Sequence, residues 1–171
     1  MLNRNEKHNQ SGRSMIEMLG VLAIVGVLSA GGIAGYSMAM QSYKGTQLTE
    51  KIGLIATRVR TVYKTGDYTG ISNANMINSG KLSSNDLQNP FGGDLTVRVA
   101  STSTAHFVVE TTANIPADTC VDLLETNWGD SGVFHAVFIN DTLVDGPYPV
   151  ATAAAISSCK TGNKKISFTF K

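Results

Sequence analysis

Glu17 is the ionisable group in the most demanding position. From Met18 to Tyr43, 26 consecutive residues include no Asp, Glu, Lys, Arg or His, and Glu17 stands at the head of that run. A carboxylate within a membrane-spanning segment costs roughly 2.5 to 3.5 kcal/mol near the bilayer centre and less near an end. An acid here either reaches an aqueous interface or meets a positive partner. Cys120 and Cys159 are the only cysteines and enclose 38 residues; two thiols allow one bridge or two unpaired core residues. His8, His106 and His135 have no metal-ligand spacing with them, and neither a Walker nor a dinucleotide glycine pattern occurs. His135 alternates with Phe134 and Ala136 and reads as a strand residue rather than a catalyst. Lys160, Lys164 and Lys165 could touch phosphate weakly, but no aromatics interleave with them. The residues therefore predict neither an enzyme nor a metal or cofactor site.

Three elements must position these groups. The uncharged run exceeds the 18 or so residues that read as a spanning helix. Arg4, Lys7 and Arg13 precede it against the single acid Glu6, an asymmetry that keeps the N-terminus cytoplasmic and sends the rest across. The run is too long for the core of an ordinary secretory signal, so on hydropathy alone an uncleaved signal anchor is the plain reading. Next comes an amphipathic stretch: Leu48, Ile52, Ile55, Val59, Val62 and Tyr63 follow at helical spacing, and Thr65-Gly66-Asp67 ends it. One continuous helix from Arg13 to Tyr63 would be roughly 76 Å long; a spanning helix, a break and a core helix would give the same pattern. The third element is a small α+β head. Residues 68–89 read as loop with a short helical candidate at Ala74–Ile77, and Asn89-Pro90-Phe91-Gly92-Gly93-Asp94 reads as a turn. Strands are expected at Leu95–Val99, His106–Thr111, Val133–Ile139 and Ile166–Phe170, and a helix from Pro116 to about Asn127.

Gly12 followed by Arg13-Ser14-Met15-Ile16-Glu17-Met18-Leu19, with a basic leader before and an apolar helix behind, resembles the class III signal of type IV pilins and pseudopilins. The turn, the Pro-initiated helix with the first cysteine, and the last strand after the second cysteine are similar to type IVb-like pilin heads. The resemblance implies a long N-terminal helix packed on a small antiparallel sheet. It also implies a prepilin peptidase that cuts between Gly12 and Arg13 and methylates the new amino terminus, so that residues 1–12 are leader and Glu17 becomes the fifth mature residue. Arg13 departs from the family, whose first mature residue is usually Phe or Met. Glu17 would then pair with the free amino terminus of its own or a neighbouring subunit and set the register between helices, since an unpaired carboxylate in a low-dielectric bundle is strongly disfavoured.

The same resemblance divides the mature chain into a spanning and filament-core half of the helix (13–43), an amphipathic half (44–66) and a head (67–171). Within the head, residues 120–159 resemble the D-region. Export to an oxidising periplasm implies a Cys120–Cys159 bridge, which by loop entropy stabilises by roughly 4 kcal/mol. Gly31 and Gly35 form a small-xxx-small spacing. The Gly31-Gly32 pair is the expected point of flexibility, each glycine costing about 1 kcal/mol relative to alanine within a helix.

Without the leader, 14 − 2 = 12 bases face 13 − 1 = 12 acids, but unevenly. Asp67 to Asp145 holds ten acids and two bases, whereas Lys44–Lys64 and Lys160–Lys171 are each net plus four. These blocks read as solvated faces or as complementary contacts between copies. The functional expectation is a major pilin that self-assembles into a helical type IV pilus fibre. Its partners would be the prepilin peptidase, an assembly ATPase, an inner-membrane platform and an outer-membrane secretin. The chain would sit in the inner membrane as a single-pass anchor before assembly and in an extracellular fibre afterwards. The alternatives are a pseudopilin of a type II secretion system and a signal-anchored periplasmic protein.

Overall fold

The computed structural model describes residues 15–112, 114–130, 132–160 and 165–171. The expectations for the leader, Gly12, Arg13 and Lys164 lie outside the described residues. Contacts divide the chain into two compact units, Met1–Met40 and Gln41–Lys171, and one helix, α1 (Met15–Val62), contributes to both. In the first unit every residue from 15 to 40 is exposed, including Ile16 at 79% and Leu28 at 69%. It is the one helix among the described residues long and apolar enough to cross a membrane.

The second unit starts with the amphipathic part of α1, whose buried residues Gly45, Leu48, Ile52, Ile55, Ala56 and Val59 recur every three or four positions. The helix ends at Val62, one residue before the expected limit. There follow α2 (Asn73–Asn78), β1 (Leu95–Ala100), β2 (Ser103–Thr111), α3 (Ala117–Glu125), β3 (Phe134–Ile139), β4 (Thr142–Leu143), α4 (Thr152–Ser158) and β5 (Ile166–Phe170). The sheet is antiparallel in the order β1-β2-β5-β3-β4. The last strand in sequence is thus central, which explains why all five of its residues are buried. Ile166, Phe168 and Phe170 share the core with Leu48, Ile52, Phe107, Val109, Cys120 and Leu123. β2 begins three residues earlier than expected, and α4 and β4 were not legible as separate elements.

Gly45 extends the apolar stripe of α1 by one more step of three. A Cβ there would lie 3.3 Å from Thr119 Cγ2, so its missing side chain lets α3 sit close against α1. Beside it the Gln41 amide donates to both oxygens of Asp118 at 2.7 and 2.6 Å. Asn73 closes the open edge of β1, donating to the Leu95 carbonyl at 3.0 Å and accepting from the Val97 N–H at 2.8 Å. An amide side chain satisfies the edge groups that another strand would otherwise pair. The turn at 89–94 is held similarly. Asn89 is buried and donates to the Thr111 hydroxyl, its own oxygen accepts from the Phe91 N–H, and Gly92 and Gly93 take the positive φ angles that the reversal needs.

Cys120 on α3 and Cys159 at the end of α4 are disulfide-bonded, 5.9 Å apart at Cα and both buried. The bridge and the Val150 N–H to Leu124 carbonyl bond of 3.0 Å tie the intervening loop to α3. Replacing Cys120 by Ser should lower the stability of the full chain by about 2 to 5 kcal/mol, read from denaturant unfolding in detergent micelles. Gly45→Leu should cost about 1 to 3 kcal/mol by overpacking the contact with Thr119 in the same assay. Wild-type stability of that variant would show that α1 and α3 are not in close contact.

Candidate functional site

Glu17 lies exposed in the first described turn of α1, ahead of a surface with no other charge through Tyr43. Gly31 and Gly32 lie midway along that surface, and α1 passes through them without interruption. A Cβ at Gly20, Gly26, Gly31, Gly32 or Gly35 would meet nothing within 4 Å. No contact with the described residues therefore accounts for glycine at these positions, whereas close approach of another helix would. This exposed stripe can insert in lipid or pack against copies of itself; it cannot stay in water.

The bases on the second part of α1 have work within their own unit. Lys51 donates to the Asn85 and Gln88 carbonyls at 2.6 and 2.9 Å, fixing the loop before the 89–94 turn. Arg60 donates to the Lys171 carbonyl at 2.8 Å and the Val133 carbonyl at 2.7 Å, with its guanidinium over the rings of Phe107 and Phe170. Burial first of all lowers the Arg60 pKa. Arg58 reaches the Lys81 carbonyl at 3.4 Å and Lys44 lies over Phe91. The positive block between 44 and 64 is thus largely a set of ties between helix, loop and sheet rather than an open cationic face.

Asp118, Asp122 and Glu125 fall on α3 at spacings of four and three, and burial, then Asp118 and Glu125, raises the Asp122 pKa. On the sheet face away from the core, Glu110 receives Arg98 at 3.0 Å and Lys165 at 3.5 Å, and Lys165 also reaches Asp141 at 2.8 Å. The hydrogen bond to Asp141 is the main reason that the Lys165 pKa is raised. These charges border a groove of about 590 Å³ lined by Arg98, Val108, His135, Phe138, Asp141 and Tyr148 among others. Among the described residues no group of three or more His, Cys, Asp or Glu could hold a metal ion.

Of the residues singled out from the sequence, the structure joins Cys120 to Cys159 and places Glu17, Gly31 and Gly32 on one helix. Sequence reasoning missed Asn73, Asn89 and Gly45. Gly45 alone had a signal, its place three residues before Leu48 in the apolar stripe.

The PilS N terminal family model matches residues 42–171. The major structural subunit of bundle-forming pilus from an EPEC strain of Escherichia coli is 27% identical over 144 residues, covering 80% of this chain and 74% of that protein. The toxin coregulated pilin of Vibrio cholerae is 29% identical over 98 residues, covering 52% of this chain and 44% of its own length. The crystal structure of TcpA, a type IV pilin from Vibrio cholerae El Tor biotype, matches with a TM-score of 0.52 at 16% identity, over 75% of this chain and 98% of that one. That likeness is one of fold: a long N-terminal helix and a small antiparallel sheet. With the α3–α4 disulfide and the apolar start of α1 already in place, the match over the whole head makes this chain a member of the PilS N-terminal family and a type IV pilin.

Proposed function

We propose that the chain is the major structural subunit of a type IV pilus, built into a helical fibre by the exposed apolar part of α1. The observation that carries this reading is the 26-residue uncharged run, exposed from 18 to 40 on a helix whose later part is core. A signal anchor alone would account for its hydropathy but gives no reason for Glu17 or for glycines that meet nothing in their own chain. Relatives named as pilus subunits support the same conclusion.

In this reading the prepilin peptidase removes residues 1–12 at the cytoplasmic face and methylates Arg13. The mature chain waits in the inner membrane as a single-pass anchor. An assembly ATPase and an inner-membrane platform lift it into the growing fibre, which leaves through a secretin. Glu17 meets the amino terminus of a neighbour in the fibre core and sets the stagger, while Gly31-Gly32 supplies the give that packing around a central axis requires. Arg13 adds a second positive group at each terminus, so the core depends on the acid more heavily than a pilin beginning with an apolar residue would.

Glu17→Gln preserves size and removes the charge. The variant is expected to insert, to begin at Arg13 by mass spectrometry and to form its disulfide, yet to yield few or no surface fibres by electron microscopy, because a fibre core has no water to solvate an unpaired ammonium. Normal fibre number and length at equal subunit levels would remove the charge pairing from the account.

A further inference from the structure

The sheet face away from the core carries a stacked pair of histidines, apart from the apolar part of α1. His106 on β2 and His135 on β3 stack ring on ring, with centroids 4.6 Å apart and planes 11° from parallel. β5 lies between those strands, so the two rings reach toward one another across it, next to Phe170, which pairs with both Phe107 and Phe134. A bulge makes this possible. The β3–β5 register shifts between Phe134 and Ala136, so His135 and Ala136 both line the outer groove while Phe134 and Val137 belong to the core. Bulges re-aim side chains in this way. Of the two rings, His135 lines the groove described above.

Two neutral imidazoles stack without electrostatic cost, whereas two imidazolium ions repel. At this separation the repulsion disfavours the doubly charged pair about fivefold even at the dielectric of bulk water, and more where the rings are partly shielded. Lys171, which follows Phe170 at the end of β5, adds a third positive charge; burial, then His135 and Lys171, holds His106 below its ordinary value of 6.5. Other charged groups near the pair among the described residues include Asp67, which reaches the start of β2 at Thr104, Arg60, which donates to the Val133 and Lys171 carbonyls, and Arg98, Asp141 and Asp145, which line the groove with His135. Arg98 and Asp141 are engaged with Glu110 and Lys165.

We propose that the His106–His135 stack is an acid-released clasp: it links β2 to β3 across β5 at neutral pH and lets go when both rings are charged. Because the folded chain binds a proton at His106 less readily than the unfolded chain, the associated stability is complete above pH 6.5 and is lost as the pH falls below it.

Hydrogen exchange on the full chain in detergent micelles, at about pH 7.5 and about pH 5 with intrinsic rates corrected, tests this. Segments spanning 104–108 and 133–137 should lose protection by about tenfold in acid, while Leu95–Val97 should change little. The double substitution His106→Phe with His135→Phe keeps a ring stack that cannot be charged and should abolish the loss. His135→Gln, at an exposed position that the core does not use, should abolish it too, and serves if the double variant does not fold. Equal acid-induced loss in wild type and in either variant, or no loss in wild type, would overturn the clasp.

Discussion

Fourteen large apolar side chains between Met15 and Met40 are left exposed, and the need to cover them governs the rest of the molecule. At about 1.5 to 3 kcal/mol per side chain removed from water, that surface represents on the order of 20 to 40 kcal/mol, more than the 5 to 15 kcal/mol by which a typical domain is stable. The drive to leave water therefore exceeds the drive to stay folded. Only lipid or copies of the same helix can supply such cover on this scale. A charge placed at the edge of the same surface would then act as a selector: near the end of a span a carboxylate can reach the interface, whereas in a packed core it would need a positive partner.

A helix committed outward at one end must be secured in its head at the other. The later part of α1 meets that need with an apolar stripe and with bases that reach backbone carbonyls of distant segments: Lys51 at Asn85 and Gln88, and Arg60 at Val133 and just past β5 at Lys171. Charge-assisted bonds of this kind are stronger than neutral ones, and they hold together parts of the head separated by up to 111 positions in sequence. The disulfide stabilises the segment between α3 and α4, which carries β3 and β4, by limiting the freedom of the unfolded chain.

Local pattern made much of this legible in the sequence. The spacing of Leu48, Ile52, Ile55 and Val59 marked the buried helix face, the alternation in Ile166–Phe170 marked β5, and Pro116 marked the start of α3, of which it is the N-cap residue. The apolar run and Glu17 were equally plain, since hydropathy and charge need no tertiary context. What escaped depends on partners far away in the chain. That Asn89 and Asn73 bond to β-strand residues, that the last strand lies in the middle of the sheet, and that a bulge turns His135 toward His106 are consequences of topology. In the positive block at 44–64 the charges were visible, but the carbonyls that Lys51 and Arg60 bond were not. α4 was hidden by its composition, a short run of Ala and Ser without a capping side chain.

The central claim is that Glu17 and the apolar helix build a fibre, and the structure of the fibre itself tests it most directly. Electron cryomicroscopy of fibres sheared from the cell surface, with mass spectrometry of their main component, should find this chain beginning at Arg13. Its apolar helices should form the fibre core, with each Glu17 carboxylate within about 4 Å of a neighbour's amino terminus. Fibres made of this chain in which Glu17 faces away from every amino terminus, or a chain that keeps residues 1–12 and enters no fibre, would contradict the account.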